Sequence, residues 1–191
     1  MKLLRTLLTT TLITATAITP AFAQSKLQRY RENFDRTAYL LKRAGVKLRL
    51  NESSCKFKGR RSSKTIGTYN SGTTTICQVD WKIVGEEQWY STFYHEAFHF
   101  IQDALDGAVG DGKMTPMFYS CSKVKTKAEC QTAYNHLCRS ADYATQKHSD
   151  TYGAKQPTHK GEWLEREAVL WSDQPQFFPT FLSSIIKNLN L

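Results

Sequence analysis

The sequence predicts a single α+β domain, in which a small, mostly antiparallel sheet packs on one long helix and a mainly helical C-terminal half follows. Three observations predict this class. Strand-like segments occur before residue 80, and helical periodicity dominates after residue 85. The chain has 191 residues, of which 12% are aromatic. This length and composition suit one domain with a hydrophobic core and argue against disorder.

The amino terminus predicts a signal peptide at residues 1–23. Lys2 and Arg5 are its basic start, residues 7–18 are its apolar core, and Ala21-Phe22-Ala23 is a small-x-small cleavage site. The apolar run is shorter than the ~20 residues that a membrane-spanning helix needs. We therefore expect a soluble domain at residues 24–191, exported to the periplasm or the extracellular space, with no integral membrane segment.

The net charge is positive. It is +9 for the whole chain, and loss of the two signal-peptide cations would leave +7. The basic residues are spread along the chain except for one cluster, at Lys56, Lys58, Arg60, Arg61 and Lys64. No nucleic-acid recognition motif accompanies this cluster, so we expect a solvated loop and no nucleic-acid partner.

The five cysteines all follow the predicted cleavage site, at Cys55, Cys77, Cys121, Cys130 and Cys138. In an exported chain disulfides are expected, and five thiols leave one unpaired. We favour Cys55 with Cys77, which closes the basic loop onto the following strand, and Cys121 with Cys130 or Cys138. A structural zinc site built from thiols is disfavoured because the chain has no C-x-x-C pair.

The residues before the long helix predict one helix and two strand regions. Apolar residues recur at helical spacing over 27–44, and Gly45 follows as a stop. Residues 46–50 alternate like a half-buried strand. A basic loop covers 51–64, and 65–80 combines turn residues with the β-branched run 73–79.

The long helix is predicted over 86–105, between Gly85 and the stop Asp106-Gly107. Glu86 and Glu87 suit the positive end of its dipole. An apolar stripe follows the helical period, at Trp89, Phe93, Ala97, Phe100, Ile101 and Ala104.

Past this helix we predict a glycine-rich piece at 107–112, a helix at 126–145 and a polar loop at 146–160. Two more helices are predicted at 161–173 and 178–191, separated by Pro175 and Pro179.

The long helix carries His95-Glu96-Ala97-Phe98-His99. Histidines four residues apart on a helix point the same way, so both can bind one small cation. This stretch resembles the H-E-x-x-H signature of the zincins, a superfamily of zinc peptidases. The resemblance implies one Zn²⁺ per chain on His95 and His99, Glu96 as the general base, and a protein or peptide substrate along an edge strand. The competing interpretation is two surface histidines on an amphipathic helix.

A catalytic zinc site needs a third protein ligand. Metzincins would have glycine and histidine where this chain has Gln102 and Leu105, so that class is excluded. Gluzincins take a glutamate from a later helix, and Glu165-Arg166-Glu167-Ala168 resembles their E-x-x-A pattern. Glu165 shares a helix face with small residues whereas Glu167 lies among bulky ones, so Glu165 is preferred to Glu167, with Glu162 third.

The supporting groups are less clear from the sequence. Some gluzincins carry an aspartate directly after that alanine, where it supports a metal ligand, and this chain has Val169 there. Asp103 is either a substitute for that aspartate or a solvated charge on the helix. His159, His148 and Tyr152 in the polar loop are candidates for stabilising the transition state. Gln102 either contacts the substrate or caps the ligand face.

Two other functions compete with an exported zinc peptidase. One is a catalytically silent zincin-like binding protein of the cell envelope or secretome, and the other is a metal-storage or metal-delivery protein. Glu96 favours the enzyme because a binding protein needs no base there, and a storage protein needs more ligands than three.

Overall fold

A computed structural model describes residues 25–55, 66–106, 109–116 and 160–191. These residues form five α-helices and one three-stranded sheet, so the fold is mixed α+β and mostly helical. The elements are α1 (Lys26–Arg43), β1 (Lys47–Arg49), β2 (Gly67–Asn70), β3 (Thr75–Gln78), α2 (Trp81–Val84), α3 (Glu86–Asp106), α4 (Lys160–Ser172) and α5 (Phe178–Leu189). The α+β class predicted from the sequence is therefore confirmed.

The first helix begins and ends where its local sequence indicates. The Ser25 side chain caps α1 by accepting the backbone N–H of Gln28 at 3.2 Å. The inward face carries Tyr30 and Leu41, which are fully buried. At the far end Gly45 has a φ of +86°, a conformation that a glycine adopts without strain and that ends the helix.

The sheet is mixed, whereas the sequence analysis expected it to be mostly antiparallel. Its strand order is β1-β3-β2, with β1 parallel and β2 antiparallel to the central β3. The hairpin formed by β2 and β3 places β3 next to β1, and the two strands run the same way because the chain reverses twice between them. Alternation within a strand predicts which face is buried and carries no information about the neighbouring strand.

A disulfide joins Cys55 to Cys77, which confirms the preferred pairing. It ties the segment after β1 to the central strand across 22 residues of sequence. The predicted signal peptide, the other three cysteines and the helix predicted at 126–145 lie outside the described residues. So do almost all of the polar loop predicted at 146–160 and its three candidate side chains, His148, Tyr152 and His159.

Helix α3 is the centre of the fold and contacts α1, α4, α5 and the two hairpin strands. It follows α2, a short helix that the sequence analysis did not predict and that Asp80 caps. All six residues of the predicted apolar stripe are buried. Polar residues of its second half are buried as well, at Glu96, His99, Gln102 and Asp103. The helix is therefore covered on more sides than an amphipathic surface helix would be.

The last two helices pack on this centre. Pro175 begins a short 3₁₀ turn between them, and Pro179 lies in the first turn of α5. The buried face of α5 consists of Phe178, Pro179, Phe181, Leu182, Ile185 and Ile186. Within the described part of the chain, no helix is both long enough and apolar enough to cross a membrane.

Candidate metal centre

The two histidines of α3 present their outer ring nitrogens to each other. His95 Nε2 and His99 Nε2 are 3.1 Å apart, and the two rings are nearly perpendicular, at 88°. At this distance one Nε2–H can donate to the other ring, or both Nε2 lone pairs can face a shared cation. The side chains therefore converge as the four-residue spacing predicts.

Glu165 of α4 completes the group. Its Oε2 lies 3.2 Å from His95 Nε2, and its Oε1 lies 3.6 Å from His99 Nε2. The three ligand atoms all fall within 4.8 Å of one another, so the group is able to hold a metal ion. The Glu165 side chain is 65% exposed whereas that of His99 is 6% exposed, which places Glu165 at the mouth of the site.

The charges in this group depend on one another. When the rings of His95 and His99 are protonated, their hydrogen bonds to Glu165 hold the pKa of that carboxyl far below its usual range. Burial lowers the pKa of His99, but its hydrogen bond with Glu165 and the nearby charge of Glu96 outweigh burial and raise that pKa overall. A carboxylate that stays ionised beside two imidazoles is the donor set that suits Zn²⁺.

The other ring nitrogen of His99 is occupied. Its Nδ1 lies 2.8 Å from Oε1 of the fully buried Gln102. The Gln102 Nε2 donates to the Leu164 carbonyl oxygen at 3.1 Å and to Glu167 Oε2 at 2.8 Å. Because an amide oxygen only accepts, the proton of a neutral His99 is on Nδ1, and the Nε2 lone pair faces His95 and Glu165. The donor set and its orientation fit a zinc ion.

Glu96 lies beside these ligands but is directed towards the sheet. It is 7% exposed, and burial raises its pKa while the charges of the histidines and the backbone N–H of Tyr69 oppose the rise. Gly67 on the same strand packs so closely that an added Cβ would lie 3.3 Å from Glu96 Cγ. The edge strand β2 is thus in contact with the acidic residue of the motif.

A cleft of about 380 Å³ opens next to the motif. His95 and Glu96 line it from α3, Gly67 from the edge strand and Val169 from α4. An open cleft beside both a metal-ligand group and a buried carboxylate can admit a substrate to the two together.

The alternatives to Glu165 lie elsewhere. Glu167 is 3% exposed and its carboxylate accepts from Gln102, so it supports His99 indirectly and stands outside the three-residue group. The Glu162 side chain lies outside the described residues. Asp103, a possible support for a ligand or a solvated charge in the sequence analysis, is buried and accepts from the Tyr69 hydroxyl at 2.6 Å.

The contact between His99 and Gln102 is the part of the site that sequence reasoning missed. A signal was available, because Gln102 lies three residues after His99, one turn further along the same helix. That Gln102 also reaches Glu167 depends on how α3 and α4 pack, and no local pattern encodes this.

No protein-family model matches this chain, and comparisons with curated proteins and with solved structures find no significant match.

Proposed function

We propose that this protein is an exported zinc-dependent peptidase. The observation that carries the proposal is the convergence of His95, His99 and Glu165, whose ligand atoms lie within 4.8 Å of one another. Their neighbour Glu96 supplies the acid–base group that such a reaction needs. In this proposal His95, His99 and Glu165 hold one zinc ion per chain.

The bound ion would supply Lewis acidity, which polarises a carbonyl group and makes a water molecule a better nucleophile. Glu96 takes the proton of the attacking water and returns it to the leaving amine. Its burial supports this role, because burial raises the pKa of the Glu96 carboxyl and so makes it a stronger base than an exposed carboxylate. The cleft that Glu96 shares with His95 gives a substrate access to both groups.

A peptide is the substrate class that the surroundings favour. Strand β2 is at an edge of the three-stranded sheet and contacts α3 at the motif. An extended peptide could add to its outer edge through backbone hydrogen bonds, the usual mode of strand addition. Gly67 brings that edge into the cleft, where the scissile bond would lie near Glu96.

Export is supported by the basic and apolar amino terminus and by the Cys55–Cys77 disulfide, since disulfides persist mainly in oxidising compartments. The mass of the protein recovered from the periplasm or the medium tests this part. Removal of 23 residues is expected, and an uncut protein in the cytoplasm would contradict it.

The activity is tested on the purified protein with an unfolded, casein-like substrate. We expect about one zinc per chain and cleavage that a chelator abolishes and added zinc restores. Glu96→Gln should keep the zinc and lower kcat by roughly 100- to 10,000-fold, because it removes the base alone. Glu87→Gln is the matched control, since Glu87 is an exposed glutamate of the same helix.

Each other result has a definite meaning. Zinc without cleavage would replace the enzyme by the catalytically silent binding protein. Full activity in Glu96→Gln would remove Glu96 as the base. A protein that binds no zinc at neutral pH would overturn the proposal.

A further inference from the structure

Gln102 connects the two helices that carry the candidate ligands. It is fully buried, and all three of its hydrogen bonds are made within the fold. On α3 it contacts His99, and on α4 it contacts Leu164 and Glu167, which lie one residue before and two residues after Glu165 in the sequence. One amide therefore meets the histidine ligand and holds the helix of the carboxylate ligand.

The direction of these hydrogen bonds follows from their acceptors. The Leu164 carbonyl oxygen accepts and cannot donate, so the atom of Gln102 that faces it is the NH₂ group. The same NH₂ group donates its second hydrogen to Glu167. The Gln102 oxygen is left for His99, and it can only accept from the Nδ1–H of that ring.

We propose that Gln102 and Glu167 are positioning residues of the metal centre. Together they hold His99 as the tautomer whose Nε2 is free to bind a cation, and they fix α4 so that Glu165 meets both histidines. The inference rests on the proposed function for its metal, but the orientation of His99 belongs to the metal-free protein as well.

The free-energy cost of burying Gln102 and Glu167 favours a specific role for their hydrogen bonds. A buried amide or carboxylate costs free energy unless it is hydrogen-bonded, and this fold buries one of each beside a buried histidine. An apolar side chain would join α3 and α4 more simply. A carboxylate linked to a histidine through hydrogen bonds orients the ring and makes it a better ligand, the usual arrangement around protein-bound metals.

If Gln102 only joined α3 to α4, it would not determine which ring nitrogen of His99 carries the proton. The test therefore measures the position of that proton directly. The ¹⁵N chemical shifts of the His99 ring are measured in the metal-free protein at alkaline pH, where neutral imidazole predominates. We expect the proton on Nδ1 in the wild type and a mixture of tautomers in Gln102→Leu. Glu167→Gln should keep the Nδ1 proton because its amide oxygen can still accept from Gln102.

Zinc affinity, measured by competition with a chelator, is the second readout. Gln102→Leu should weaken binding by roughly 10- to 100-fold, the usual loss when a supporting residue is removed. Glu167→Gln should weaken it less. Gln78→Leu is the matched control, because Gln78 is also a fully buried glutamine that donates to a backbone carbonyl, that of Trp89. It should bind zinc like the wild type.

Two results would overturn the inference. One is the finding that neutral His99 carries its proton on Nε2 in the wild-type protein. This measurement does not depend on whether a variant folds. The other is wild-type zinc affinity in folded Gln102→Leu. Failure of the proposed function looks different, because a protein that binds zinc and cleaves no peptide would still show the Nδ1 proton and the loss of affinity.

Discussion

The first half of α3 is held by aromatic packing, whereas the second half adds a set of buried polar groups to its apolar contacts. In residues 86–94 aromatic rings pack against α1, with Phe93 4.7 Å from Phe34 and Tyr94 5.4 Å from Tyr30 between ring centroids. In residues 95–106 imidazole, amide and carboxylate groups form hydrogen bonds with α4 and the edge strand.

The two halves therefore contribute differently to the molecule. Burial of aromatic surface stabilises the fold and requires no partner of fixed geometry. Burial of polar groups costs stability unless each one is paired, and clusters of such groups are most common at functional sites. We expect substitutions of the aromatic residues in the first half to change stability and those of the polar residues in the second half to change metal binding.

The largest effect is expected from Glu165→Ala, which removes the third ligand. Zinc content should fall from about one per chain towards none, and affinity should fall by more than the roughly 100-fold loss typical of a supporting residue. Stability of the metal-free protein should change little, because this side chain is 65% exposed. Elemental analysis and thermal unfolding check both points, with Glu87→Ala as the control. Unchanged zinc content would make Glu162 or Glu167 the third ligand.

Phe93→Ala tests the other half of the helix. Phe93 is fully buried among Phe34, Trp89 and Tyr94. The cavity should lower the free energy of unfolding by about 3–5 kcal/mol, as measured by urea denaturation. Zinc bound per folded molecule should stay the same. A variant that keeps its stability and loses zinc would break the comparison between the two halves.

The disulfide supports the sheet that Glu96 contacts. Replacing both Cys55 and Cys77 with serine should cost about 3 kcal/mol, the loop-closure value for their separation of 22 residues. Denaturation of the double variant and of the wild type, with and without a reducing agent, measures this. The variant should be less stable than the wild type without the reducing agent and should unfold like it once the agent is present, and equal stability without the agent would contradict the expectation.

The smallest effect is expected at the exposed ion pair between Arg31 and Glu86. Its hydrogen bond with Arg31 lowers the pKa of Glu86 from the ordinary value of 4.5. The stabilisation is therefore present above pH 4.5 and lost as the pH falls through the lowered pKa. Arg31→Met should have a slightly lower melting temperature than the wild type at pH 7, and this difference in melting temperature should disappear in acid. A difference in melting temperature that persists at pH 2 would exclude the ion pair as its cause.

Local patterns predicted the elements of this fold well where the end signals are local. Ser25 and Gly45 bracket α1, and Gly85 precedes α3, so the predicted ends differ from the observed ones by at most one residue. The sequence also predicted that Glu165 and Glu167 lie on different faces of α4, because the face of a helix on which a residue lies follows from its spacing, and the side-chain sizes on that face show what it packs against. The parallel pairing of β1 with β3 was not readable, since it depends on contacts between distant segments.

In the second half of α3, too, local sequence patterns did not predict contacts between distant segments. The four-residue spacing of His95 and His99 predicted their convergence, and the structure places their Nε2 atoms 3.1 Å apart. Asp103, one turn after His99, was a possible support for a ligand or a solvated charge. It instead accepts from the Tyr69 hydroxyl, 34 residues away in sequence, and Gln102 contacts His99. Which side chain takes each role depends on the packing of β2 and α4.

Gly67 has a consequence for recognising relatives of this chain. A methyl group at this position would lie 2.7 Å from Thr92 Cγ2, closer than non-bonded carbons come, so strand and helix meet only because the side chain is missing. A protein that carries the same five-residue motif but a larger residue here must hold its strand further from the acid. A search for chains with a similar site can therefore require a small residue at this position in addition to the five-residue motif.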